Sequence, residues 1–140
     1  MAAAPALALL EQSRGSLADA YAAELATARF VAALDAAMRA AAAHVAGRPA
    51  TRRGGARRAR RDLWPLLAAD APQLREWAEH FALAAVRREE IETRRTHVTV
   101  READDLLRAA ETFVDVVAAT LGMPGGARTA YRLAAARESG

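Results

Sequence analysis

Residues 99–122 read "TVREADDLLRAAETFVDVVAATLG", and this stretch decides the fold. Ala103, Leu106, Leu107, Ala110, Phe113, Val114, Val117 and Leu121 recur every three or four positions, the period of one apolar face of an α-helix. Both ends are punctuated. Thr99 and Glu102 form a capping box, in which the threonine hydroxyl accepts from the Glu102 amide and the carboxylate reaches back toward the cap. Gly122 and Pro124 supply the stop. Asp104 and Arg108, four apart in the favourable order, add a weak surface pair.

Working outward, the same period recurs in alanine-rich stretches along the rest of the chain, and β-branched alternation appears only briefly around Thr96–Val100. The class expected is all-α. An N-terminal helix is predicted over about Ala6–Ser13, with "RGS" at 14–16 as a break and Ser16 as the next N-cap. A long helix then carries Leu17, Tyr21, Leu25, Ala28, Val31, Leu34, Met38, Ala41 and Val45 on a slowly drifting stripe, ending at Gly47 and Pro49. In "DLWPLLAADAP", Trp64, Leu66 and Leu67 form an apolar knot that docks a short turn. Asp70 is placed to cap the following helix, and Pro72 sits in that helix's first turn. There Leu74, Trp77, Ala78, Phe81, Ala84 and Ala85 share a face that fades near Thr93. Trp64, Trp77 and Phe81 fall at core spacing and are expected to be packing anchors.

A chain of 140 residues has the length of one domain with its own core. The expected division is a single helical domain over 1–122 and a tail, 123–140, that could form one short helix. There is no cysteine, lysine or asparagine. That removes thiolate chemistry, cysteine-bound zinc, a Walker-A lysine, a Schiff-base lysine and a papain-like asparagine. The opening "MAAAPALALL" lacks a basic leader and is too short to span a bilayer, so a cytoplasmic address without membrane contact is expected. No cofactor and no metal are expected. The carboxylates of "READD" are accounted for by capping, by Arg108 and by the helix dipole.

The stretch from 48 to 62, "RPATRRGGARRARRD", holds Arg48, Arg52, Arg53, Arg57, Arg58, Arg60 and Arg61, with no acid before Asp62. The whole chain carries +3, so the remainder without these seven charges is −4. Guanidinium groups bind phosphate in bidentate fashion, and counterion release favours association, so RNA or DNA is the partner this cluster suits. With no aromatic side chain to stack on bases, binding there is expected to be weakly selective. The competing reading is a solvated tether between two helical hairpins.

Trp64, the Ala71-Pro72 step, Leu74, Glu76-Trp77-Ala78, Phe81, Arg101-Glu102-Ala103-Asp104-Asp105-Leu106, Phe113 and Leu121-Gly122 together resemble a known family. It comprises small actinobacterial proteins of the HEPN superfamily, whose genes tend to lie near a Y-family translesion DNA polymerase. The resemblance covers about 17–122. It implies an antiparallel four-helix HEPN-like bundle, often a homodimer, with the basic loop between the two hairpins. It also implies a choice between metal-independent ribonucleases and non-catalytic RNA-binding or accessory members, and it brings a DNA-repair protein into view as a partner.

HEPN ribonucleases place a histidine four to six residues beyond an arginine near the start of the last core helix. The histidine assists proton transfer at the ribose 2′-hydroxyl, and the arginine stabilises charge on the phosphate. Here that helix opens with Arg101 and offers no histidine at such a spacing. Two matches occur elsewhere, Arg39 to His44 and Arg75 to His80, each with four residues between. Short motifs of this kind recur readily by chance. Arg75 and His80 are the better catalytic candidates, since they open a helix beside Trp77 and Glu79. Five positions apart, however, they diverge by about 140° around it. The reading adopted is a non-catalytic binding or accessory module for nucleic acid or a DNA-repair partner. A toxin-like ribonuclease and a purely structural helical dimer are the alternatives.

Overall fold

The computed structural model describes residues 4–46 and 62–123. The arginine-rich stretch 48–61 and the tail beyond 123 lie outside the described residues, as do the expectations attached to them. The described part forms helices α1 (Ala4–Ala22), α2 (Ala26–Val45), α3 (Leu63–Asp70), α4 (Arg75–Arg94) and α5 (Val100–Thr120). A 3-10 turn over Pro72–Leu74 leads into α4. No strand occurs among the described residues.

The first break falls later than the sequence suggests. Helix α1 runs through Gly15, where a helix-interior glycine costs about 0.5–1 kcal/mol, because burial of Leu10, Leu17 and Ala20 on either side holds the helix together. Ser13 and Ser16 cap nothing. Both are buried; the Ser13 hydroxyl donates to the Ala36 carbonyl at 2.7 Å, and the Ser16 hydroxyl accepts from Arg39. The chain turns instead at 23–25, where Arg29 caps the end of α1 from the neighbouring helix. Its guanidinium donates to the carbonyls of Ala20 at 3.1 Å and Ala23 at 2.8 Å, two of the acceptors a helix C-terminus leaves open.

This relocation resets the helical phase. The buried face of α2 is Phe30, Ala33, Leu34, Ala37, Ala40 and Ala41, whereas Leu25 and Ala28, expected on the stripe, face outward. Its small side chains let α2 lie close against both α1 and α5. The serine contact at Ala36 and the arginine contact at Ala20 show that α1 and α2 are antiparallel.

Helix α3 is a full helix rather than a turn, and it buries Leu63, Trp64 and Leu67. Trp64 stacks on Phe81 with centroids 5.5 Å apart, Trp77 stacks on the same ring at 6.1 Å, and Phe113 closes the group 5.1 Å from Phe81. These aromatic side chains are core anchors joining α3, α4 and α5. Helices α4 and α5 form the second antiparallel hairpin: Arg87 meets Glu102 near the turn, and Trp77 meets Phe113 farther along.

The turn at 95–99 contains no strand. Thr99 caps α5 as expected, accepting from the Glu102 amide at 3.0 Å. The Glu102 carboxylate is held by Arg87, with Nε to Oε2 at 2.7 Å. Asp104 pairs across the bundle with Arg29 at 2.6 Å rather than with Arg108, which reaches Asp105 at 3.4 Å instead.

Candidate functional site

The two better catalytic candidates do not share a cleft. Arg75, exposed at the start of α4, lines a depression with Trp64, Pro65, Ala78 and Glu79 between α3 and α4. His80 lines a different cleft, of 370 Å³, between α4 and α5. Its floor is Phe30, Ala84 and Leu106, and its polar rim is His80, Arg87, Glu102 and Asp105. The imidazole of His80 meets the Phe81 ring edge-on at 5.2 Å. The divergence expected for positions five apart on a helix is therefore realised.

The second spacing match is not assembled either. Arg39 turns to Ser16 on α1, whereas His44 points to the far side of α2's last turn, with Nδ1 3.2 Å from Oδ2 of Asp70. Asp70, expected as a cap, faces this histidine and caps neither the 3-10 turn nor α4. Arg101, at the head of α5, is 92% exposed and lies 3.9 Å from Asp105, so it is a solvated surface charge.

Three other described arginines, Arg29, Arg87 and Arg88, are committed within the bundle. Arg87 donates to Glu102, Thr96 and the His97 carbonyl. Arg88 bridges Asp35 at 3.0 Å and Glu92 at 3.0 Å. Hydrogen bonding by Arg87 holds the Glu102 carboxyl below the usual carboxylate range, against a smaller opposing effect of burial, and the same contact raises the Arg87 guanidinium. Arg29 on Asp104 and Arg88 on Asp35 tie the two hairpins to one another, whereas Arg87 and Glu102 pair within the second hairpin and stand on the rim of the His80 cleft. The seven arginines of 48–61 lie outside the described residues, between the end of α2 and the start of α3.

Among the described residues, no group of three or more histidine, aspartate or glutamate side chains gathers to hold a metal. Among the described residues, no helix is long and apolar enough to cross a membrane.

Sequence reasoning missed the roles of four polar residues that matter. Glu111 is 2% exposed and accepts from the Tyr21 hydroxyl. A signal for it existed, because Glu111 continues the Leu107–Val114 side of the apolar stripe. Arg29 and the His44–Asp70 contact left no local signal, being set by long-range packing.

These features define a class: a small all-α bundle of two antiparallel hairpins, with a short helix packed between them in sequence. The chain matches the SAV_6107-like HEPN family over residues 20–118 and belongs to it. The matched span begins near the end of α1 and takes in the arginine-rich stretch. No curated protein and no solved structure matches the chain.

Proposed function

We propose that this HEPN domain is a non-catalytic module that binds nucleic acid through the arginine-rich stretch 48–61. The observation that carries the reading is the partition of charge. Seven arginines stand in that stretch without an acid, while the remaining 13 arginines face 17 carboxylates. Within the bundle Arg29, Arg87 and Arg88 are bound to carboxylates. Phosphate therefore meets concentrated cationic charge at one place and a net acidic body elsewhere, which favours a backbone-tracking contact over a broad basic face.

The absence of catalysis is supported by the separate placement of Arg75 and His80 and by the lack of a suitably spaced histidine after Arg101. Among the described residues, Arg75 and His80 line different depressions, and Arg87, which shares the cleft of His80, is engaged by Glu102, Thr96 and the His97 carbonyl; this supports the reading, since the chemistry asks for a proton-transfer group and a phosphate-stabilising arginine at one reacting atom.

Incubation of the full chain with labelled RNA in EDTA tests this directly. The expected result is retention of intact RNA on a filter, weakened when Arg57, Arg58, Arg60 and Arg61 are changed to alanine. Cleavage that disappears with His80→Ala would establish the ribonuclease reading instead. Retention unaffected by the four changes would remove the stretch from the binding site.

A further inference from the structure

We propose that the cleft between α4 and α5 takes one unpaired base of a single-stranded nucleic acid; the proposal rests on the nucleic-acid reading and adds base selectivity to it. The cleft is built into the hairpin. Large rings, Trp77 and Phe81 against Phe113, hold α4 off α5, whereas the small side chains of α2 let that helix lie close. The resulting 370 Å³ falls in the range of small-ligand sites. Phe30, Ala84 and Leu106 form its buried floor, and Leu83, 71% exposed, forms its lip. His80 packs against Phe81 and is otherwise exposed, which sets an imidazole at the rim for a base to stack on.

The charges around the cleft decide what suits it. Carboxylates and arginines are equal in number there: Glu90 and Glu102 stand with Arg87, Asp104 with Arg29, and Asp105 with Arg101 and Arg108. A ligand that is itself charged gains little in such a balance. A phosphate finds no open cation inside, because the Arg87 guanidinium is taken up by Glu102, Thr96 and the His97 carbonyl. The accessible acceptor is Asp105, whose side chain is 59% exposed and whose arginine contacts are long, 3.4 and 3.9 Å. A flat, neutral, largely apolar group with an exocyclic amine meets these conditions, and a carboxylate accepting from cytosine N4 is the matching contact.

The flanks suit the rest of a strand. Arg101 and Arg108 stand on α5 about one turn to either side of Asp105, 92% and 73% exposed, where they can meet the phosphates that neighbour the inserted base. Arg75, exposed at the head of α4, lies eight residues before Leu83, about 12 Å along the helix and toward α3. The segment 48–61 leads directly into α3. Phosphate contact at that segment and base contact at the cleft therefore divide positioning from selection along one strand.

The test compares filter retention of cytidylate and uridylate oligomers of about ten nucleotides by the full chain at neutral pH, in RNA and DNA series. Cytidylate should bind at least about fivefold tighter than uridylate, or than thymidylate in the DNA series. The tighter series identifies the sugar. Asp105→Ala should bring the ratio close to one; the ratio is read because the change also removes a negative charge and so alters affinity for every oligomer. Leu83→Ser, at an exposed position that leaves the core intact, should lower cytidylate affinity. With Arg57, Arg58, Arg60 and Arg61 changed to alanine, all affinities should fall while the ratio stays. Retention without base preference overturns the cleft and leaves the binding reading standing, whereas no retention of any oligomer overturns both. A preference that survives Asp105→Ala and is lost with the four arginine changes overturns the cleft alone.

Discussion

At the scale of single residues, the polar side chains inside the bundle do the work that glycine, capping and surface pairs were expected to do. Glu111 sits in the core and accepts from Tyr21, which ties α1 to α5. Tyr21→Phe should destabilise the chain by about 1–3 kcal/mol in urea unfolding, because a buried carboxylate loses a donor. Glu102 sets a pH dependence. Its folded-state affinity for a proton is depressed by Arg87, so its contribution is present above the ordinary glutamate range, about pH 4.3, and is lost as pH falls through the lower folded value. Acid unfolding curves should therefore lose part of their slope below about pH 4 in Glu102→Gln and in Arg87→Ala. Unaltered curves would show that the pair stabilises only the geometry of the turn. Asp70 teaches the same lesson: its position before Pro72 looked like a cap, and its partner turned out to be a histidine 26 positions earlier.

At the scale of elements, two helix ends show how local conformation limits the fold. Helix α5 ends in a Schellman arrangement: Gly122 takes φ 75°, its amide donates to Ala119 at 3.1 Å, and the Met123 amide donates to Ala118 at 2.9 Å. Gly122→Ala should cost about 1 kcal/mol, since an alanine there must adopt the left-handed region. Helix α4 ends on Arg95, a non-glycine residue with φ 53°. Arg95→Gly should stabilise the chain by up to about 1 kcal/mol and Arg95→Val should destabilise it, both read from denaturant midpoints.

The second hairpin was legible because α4 and α5 are bounded by local signals, Pro72, Thr99 and Gly122, that need no tertiary partner. The first hairpin was less so. Its turn at 23–25 has neither glycine nor proline, and the cap is Arg29, reaching back from the next helix. An alanine-rich sequence offers little contrast between buried and exposed faces, so the misplaced break carried Leu25 and Ala28 onto the wrong side.

At the scale of the whole molecule, charge and apolar packing are divided between different segments. Within the bundle Arg29 is tied to Asp104 and Arg88 to Asp35, and the charge outside the stretch of seven arginines sums to −4. That division was legible from composition alone. The failure of Arg75 and His80 to meet was only partly so, because helical spacing gives their divergence while the clefts they line depend on where α3 and α5 pack. The most direct measurement is the salt dependence of duplex DNA binding by the full chain and by the variant with Arg57, Arg58, Arg60 and Arg61 changed to alanine. If all seven arginines engage phosphate, the log–log slope for the unaltered chain approaches about −6 and becomes shallower by about 3–4 units in the variant. Equal slopes for the two proteins would contradict the account, because the grip on phosphate would then reside elsewhere.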